Sequence, residues 1–308
     1  MEKQGKSKEK YLGIEHRLSG KRCLATMISS AVVFICVLIG VTMNLTTLYD
    51  ENFDHMGLRT FCMFTVNSNL LCALGMIMTV PYTIDGMRKK RFHLPDWLVC
   101  FLFAGVTSVS LTFLISLCVL SPVKGFVLIF TGSRFFLHGL CPILAIAAFC
   151  FFIHSHVISF RESLYALIPV MLYAMVYYFM VEILGPDNGG WDDFYGFFTH
   201  IPSWVSLLSF MPLTFSIASV VRILHNRSCE AFRLRAEKLY EKEFSGSDPR
   251  EQIEDIARNH VIADDHAIDI PLWLLHIVVR HSDGKIDVEN ACNLYLKTVL
   301  KEFHTDNQ

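Results

Sequence analysis

Uncharged apolar windows recur six times along the chain, over residues 24–49, 60–84, 97–123, within 135–160, 163–181 and 194–221. Each is close to the roughly 20 residues a helix needs to cross a bilayer, where every backbone polar group must be satisfied inside the segment. The pattern therefore predicts six spans. Residues 125–160 carry Arg134 as their only charge and are too long for one simple span, so a short interfacial or re-entrant piece is expected before Arg134.

From about residue 226 the pattern changes, with eleven Lys or Arg and sixteen Asp or Glu over 226–308. Val288, Cys292, Tyr295, Leu296, Val299 and Phe303 recur at three and four residues, which predicts an amphipathic helix over 287–303. Helices are also expected near 229–244 and 249–260, joined through a turn at Gly246-Ser247-Asp248-Pro249. The fold class is all-α: a polytopic bundle of six transmembrane helices over 23–225, between a basic N-terminal tail (1–22) and a small helical C-terminal domain (226–308).

Charge orients the bundle. The N-terminal tail, the Arg88-Lys89-Lys90-Arg91 turn, Arg161 and the cluster Arg222, Arg227, Arg233, Arg235 fall on one side, with only Arg59 and Lys124 on the other. The excess of basic loops marks the cytoplasmic side and places both termini inside a cell membrane, with the acidic 182–193 loop outside. Seven Lys or Arg among the first 22 residues resemble a secretory leader, but the apolar stretch that follows is too long for one and reads as an anchor that stays. Asn44-Leu45-Thr46 matches a glycosylation sequon but sits too near the bilayer to be used.

Composition narrows the function. With 53% hydrophobic and 18% charged residues and a mean hydropathy of +0.41, the chain is too apolar for a soluble protein. Membrane lipids are its expected surroundings. A net charge of −2 supplies no basic surface for nucleic acid. The ten cysteines are scattered with no Cys-x-x-Cys, so they read as small buried side chains and no metal or other cofactor is expected. His154 and His156 lie about 200° apart around a helix and cannot easily share an ion. Asp283-Gly284-Lys285-Ile286-Asp287 resembles the middle of an EF-hand loop, yet Val279, His281 and Asn290 occupy ligand positions, so a turn with a helix N-cap at Asp287 is expected.

Two polar groups lie within the spans. Thr65, Ser68, Asn69 and Cys72 form one stripe on the second span, and Arg134, His138 and Cys141 follow similar spacing on the fourth. Spacing alone favours interhelical hydrogen bonding for the Ser, Thr and Asn side chains and a satisfied core residue for His138. Both spans run in the same direction, however, so Thr65 and His138 fall at comparable depth in the outer half of the membrane and could meet.

The segment Phe64-Thr65-Val66-Asn67-Ser68-Asn69-Leu70-Leu71, the run Leu137 to Leu144 and Trp191-Asp192-Asp193-Phe194-Tyr195-Gly196-Phe197 resemble the six-span androgen-induced membrane proteins and their bacterial relatives. The resemblance covers about residues 24–225 and leaves the tail domain without a counterpart. It implies a threonine hydrolase acting on fatty-acid esters of hydroxy fatty acids, with Thr65 as the nucleophile and His138 as the base. Face and depth then suggest Asn69 or Arg134 as oxyanion donors, and Asp192 or Asp193 as the carboxylate that orients His138. A non-catalytic lipid or ligand sensor, acting through a cytosolic partner of the tail domain, is the alternative. A proton- or ion-coupled transporter fits less well, because Arg134 is nearly alone among ionisable groups in the spans.

Overall fold

The computed structural model describes residues 2–46, 57–88, 94–154, 157–198, 202–244, 248–263 and 272–305. These residues are helical and contain no strand. Six helices are long and apolar enough to span a membrane: Gly20–Thr46, Phe64–Arg88, Asp96–Lys124, Gly132–Phe152, Phe160–Leu184 and Ser203–Arg235. This is the architecture of a multi-pass membrane protein. Between the third and fourth spans a four-residue helix, Phe126–Ile129, supplies the short piece expected before Arg134. The sixth span starts later than its apolar window, because 194–198 form turns rather than helix.

The third span is the centre of the bundle: 72% of its apolar window is buried, against 44% or less in the others. It can sit there because its surface is small and several of its hydroxyls are satisfied, although Thr107 Oγ1 is buried without a partner. A side chain on Gly105 would meet the Cys72 backbone of the second span at 3.0 Å, while Ser108 and Ser110 donate to the carbonyls of Ala104 and Val106 at 2.8 and 2.7 Å. Ser68 and Thr112 join the second and third spans through a 3.1 Å hydroxyl pair. Lipid offers helices no hydrophobic drive to associate, so close backbone approach and hydrogen bonds hold them instead. The first span follows the same logic. Thr26, Ser30, Val33, Val37, Val41 and Asn44 are buried on one face, and Leu24, Ile28, Val32, Ile35 and Ile39 are exposed on the other.

The third and fourth spans are not uniform α-helices. Each contains a π-helical turn, Ser116–Leu120 and Phe135–Leu140, immediately before a proline at the second residue of the next segment, Pro122 and Pro142. A proline lacks the amide that would bond four residues back, and its ring clashes with that carbonyl. The wider turn relieves the clash without breaking the helix. In the fourth span this widened turn carries His138.

The chain divides into two compact units, one of Leu24–Thr83 with His93–Cys229, the other of Met1–Cys23, Ile84–Phe92 and Glu230–Gln308. In the latter, the helices Pro249–Ala263, Leu272–Arg280 and Val288–Thr305 enclose a core that includes Ile253, Ile256, Leu275, Val278, Tyr295 and Val299. The Leu272–Arg280 helix was not expected, since nine residues are too few to display a clear period. The helix expected at 229–244 is not separate: Ser203–Phe244 is one continuous helix, because the change from apolar to charged residues near Val221 contains no residue that stops a helix.

The 283–287 segment is a turn. Asp283 and Gly284 have φ of 49° and 78°, Ser282 Oγ donates to the Val279 and Ile286 carbonyls at 2.7 and 3.2 Å, and Asp287 Oδ1 accepts the Asn290 amide at 2.7 Å as an N-cap. Replacing Asp287 with Ala should cost about 1 kcal/mol, read as a lower urea midpoint for loss of the C-terminal helices.

Candidate active site

The second span begins at Phe64, directly after the 3-10 turn Gly57–Cys62. The first amides of any helix have no partner within it. Here the Phe64 amide donates to the Tyr195 hydroxyl at 2.9 Å, and the Asn67 side chain reaches back to the Phe61 carbonyl at 2.8 Å. Thr65 is therefore set in the first turn of a helix whose entry is fixed from both sides.

Of the polar stripe on this span, Thr65 lines two cavities. Ser68 is buried against Thr112, and Cys72 is buried against Gly105. Asn69 differs from the oxyanion donor expected of it. Its Nδ2 donates to the Thr65 carbonyl at 2.7 Å and to the Leu137 carbonyl at 3.0 Å, which uses both amide hydrogens. Asn69 is a tie between the second and fourth spans, one residue before His138. Asn69→Ala should lower stability by about 1 kcal/mol, seen as faster reaction of the buried cysteines with a thiol dye on heating. Its turnover should stay far above the 10²- to 10³-fold loss that about one oxyanion donor is worth.

His138 sits on the widened turn of the fourth span, beside Arg134. Its ring is hydrogen-bonded to the Ile129 backbone, and Nδ1 is buried with no hydrogen-bond partner. The bonded nitrogen is therefore Nε2, and the Nδ1 lone pair is the one left to accept a proton. The partner of the His138 ring is this backbone group and not Asp192 or Asp193. Asp192 is exposed. Asp193 holds its own loop together: Oδ1 accepts from the Tyr177 hydroxyl at 2.8 Å and the Phe197 amide at 3.1 Å, and Oδ2 from the Phe198 amide at 2.9 Å.

Thr65 and His138 line the same cavity, an open space of about 920 Å³ whose walls also carry Lys124, Arg134, Asn44 and Tyr195. A second space of about 610 Å³, lined largely by apolar and aromatic groups such as Leu111, Ile115, Val170, Phe197 and Phe210, also has Thr65 in its wall. Thr65, Leu120 and Tyr195 line both. Thr65 thus lines both an apolar compartment and a compartment with cationic groups on its wall. A molecule with a long apolar chain and a polar junction fits that division.

Tyr195 was absent from the candidate residues read from the sequence. It lies on the loop before the sixth span, where its amide donates to the Tyr177 hydroxyl at 3.2 Å and its ring packs among Tyr177, Phe194 and Phe197. Tyr173, stacked on Tyr177, donates to the Cys62 carbonyl at 2.7 Å. The density of aromatics after Gly189-Gly190 was the available signal.

His154 bonds Ser228 at 2.9 Å, and His156 lies outside the described residues. No group of three or more His, Cys, Asp or Glu that could hold a metal ion occurs among the described residues, and none of the ten cysteines is in a disulfide. Compared with known family models, curated proteins and solved structures, the chain matches none of them.

Proposed function

We propose that this chain is an integral membrane hydrolase of fatty-acid esters, with Thr65 as nucleophile and His138 as general base. The observation that carries the reading is the shared cavity: a threonine and a histidine from different spans open onto one space, and the histidine keeps one ring nitrogen without a partner. A Thr hydroxyl attacks a carbonyl only when a base removes its proton, and a neutral imidazole is suited to that task.

The acyl chain lies in the apolar compartment and the alcohol half beside Arg134 and Lys124. Thr65 Oγ adds to the ester carbonyl as its proton passes to His138 Nδ1. Collapse expels the alcohol, which takes that proton, and water then hydrolyses the acyl-Thr65. Arg134 faces the charge that develops. The resemblance of the segments around Thr65, His138 and Trp191 to androgen-induced membrane proteins supports the same assignment. The distribution of Lys and Arg supports cytoplasmic termini in a cell membrane, with the site in the outer half, where an ester enters sideways from the bilayer.

Incubating the full-length protein in detergent micelles with an alkyl fluorophosphonate, followed by peptide mass mapping, tests the proposal. The expected result is an adduct on Thr65. An adduct on another residue, or none, overturns it.

The separately cored C-terminal unit favours one further reading, a sensor that couples the cavity to a cytosolic partner. A sensor binds lipid esters without consuming them, so product release on prolonged incubation separates the two.

A further inference from the structure

Tyr195 is held at the one place where both compartments meet. Its side chain lines the two cavities together with Thr65. Its position is determined through its backbone by Tyr177 and Asp193, and through its hydroxyl by the start of the second span. The phenol oxygen accepts the Phe64 amide at 2.9 Å and is also approached by the amide and hydroxyl of Thr65 and by the hydroxyl of Tyr173.

This arrangement determines what the hydroxyl can do. With its oxygen accepting the Phe64 amide at the N-terminus of a 25-residue helix, the hydroxyl keeps one hydrogen to donate, on a residue that lines both cavities beside Thr65. Hydrogen bonds accepted by an oxygen polarise the bond it donates, and the positive end of the helix dipole strengthens that effect. Burial pushes the Tyr195 phenol up, against the smaller downward pull of the amides and neighbouring hydroxyls, so it stays a protonated donor. Tyr173 cannot substitute, since its own hydrogen is given to the Cys62 carbonyl, and Asn69 has both of its amide hydrogens engaged.

We propose that Tyr195 is a catalytic residue that donates a hydrogen bond from its hydroxyl to the oxyanion formed when Thr65 attacks an ester. The inference rests on the hydrolase reading above. As Thr65 Oγ forms its bond to the carbonyl carbon, the carbonyl π pair moves onto oxygen and the Thr65 proton goes to His138. The Tyr195 O–H stabilises the oxyanion and keeps its own proton. When the pair returns, the carbon–oxygen bond to the leaving alcohol breaks, and His138 supplies the proton that alcohol needs. A donor beside the nucleophile is where acyl transfer requires one, because the oxyanion forms one bond away from the attacked carbon.

The test uses the full-length protein in detergent micelles with a p-nitrophenyl fatty-acyl ester. Tyr195→Phe should lower kcat by about 10²-fold with little change in KM, because the phenyl ring preserves packing while the donor is lost. Incorporating a fluorinated tyrosine at 195 keeps the hydroxyl and changes its donor strength. This variant should retain wild-type thermal stability yet shift kcat. If Tyr195→Phe turns over at the wild-type rate, or if fluorination leaves kcat unchanged while Tyr195→Phe loses stability and activity together, Tyr195 is structural and the inference fails, with the hydrolase reading intact. If the wild-type protein shows neither turnover nor an adduct on Thr65, the hydrolase reading fails and this inference with it.

Discussion

Thr65→Ala should reduce fatty-acyl ester hydrolysis by about 10⁴-fold or more, and His138→Ala should do nearly the same. The double variant should be little worse than either single one. Groups that act as a unit are strongly non-additive: without the base the hydroxyl is a poor nucleophile, and without the hydroxyl the base has no proton to take. The double-variant comparison therefore tests the pairing, not merely the importance of each residue. Single-turnover release of p-nitrophenol in micelles measures all three. Independent, multiplicative losses would mean that Thr65 and His138 do not act on the same proton. Thr65→Ser should keep a large share of turnover, since the hydroxyl stays while only the methyl leaves.

Gly190→Ala should abolish at least as much activity as Tyr195→Phe, about 10²-fold, without unfolding the spans. A Cβ at 190 would stand 2.1 Å from the Met180 carbonyl and 2.6 and 2.8 Å from the carbonyl and amide of Gly185. All three are backbone atoms that cannot rotate aside. The Met180 carbonyl already accepts the Gly185 and Trp191 amides at 3.2 and 2.9 Å, and the Gly190 amide donates to Gly185 at 2.8 Å. The collision therefore expels the segment that carries Asp193 and Tyr195. Its neighbour provides the control. Gly189 has a φ of 84° with nothing within 4 Å of a Cβ, so Gly189→Ala incurs only left-handed strain, about 1–2 kcal/mol. Turnover set against the thermal midpoint, for both variants, separates local expulsion of the loop from global loss of fold. Equal effects at 189 and 190 would refute the steric account.

The six crossings were legible because hydrocarbon imposes a length and a composition that no other constraint overrides, and each apolar window meets a long helix. The shared cavity of Thr65 and His138 was legible for a related reason. Alternating spans fix direction, direction fixes depth, and two side chains near the starts of parallel spans come to one level. The C-terminal period around Tyr295 and Val299 was readable as a buried face, and the short polar turn before Asp287 as an N-cap.

Neighbours across space were not legible. Spacing places Asn69 on the Thr65 face of its helix, but only the packed fourth span decides that its amide is committed to the Leu137 carbonyl. Asp193 sits in an acidic loop that could reach many places, and its carboxylate is claimed by amides and a hydroxyl that only three-dimensional folding brings near. Tyr195 looks in sequence like one aromatic among many, because a period describes one helix and carries no information about a loop folding over another helix's first turn. Periodicity and hydrocarbon thickness are properties of a single segment, so the chain alone determined the spans. Which hydrogen-bond donors remain uncommitted at the cavity depends on every segment at once, and the tertiary structure alone decided that.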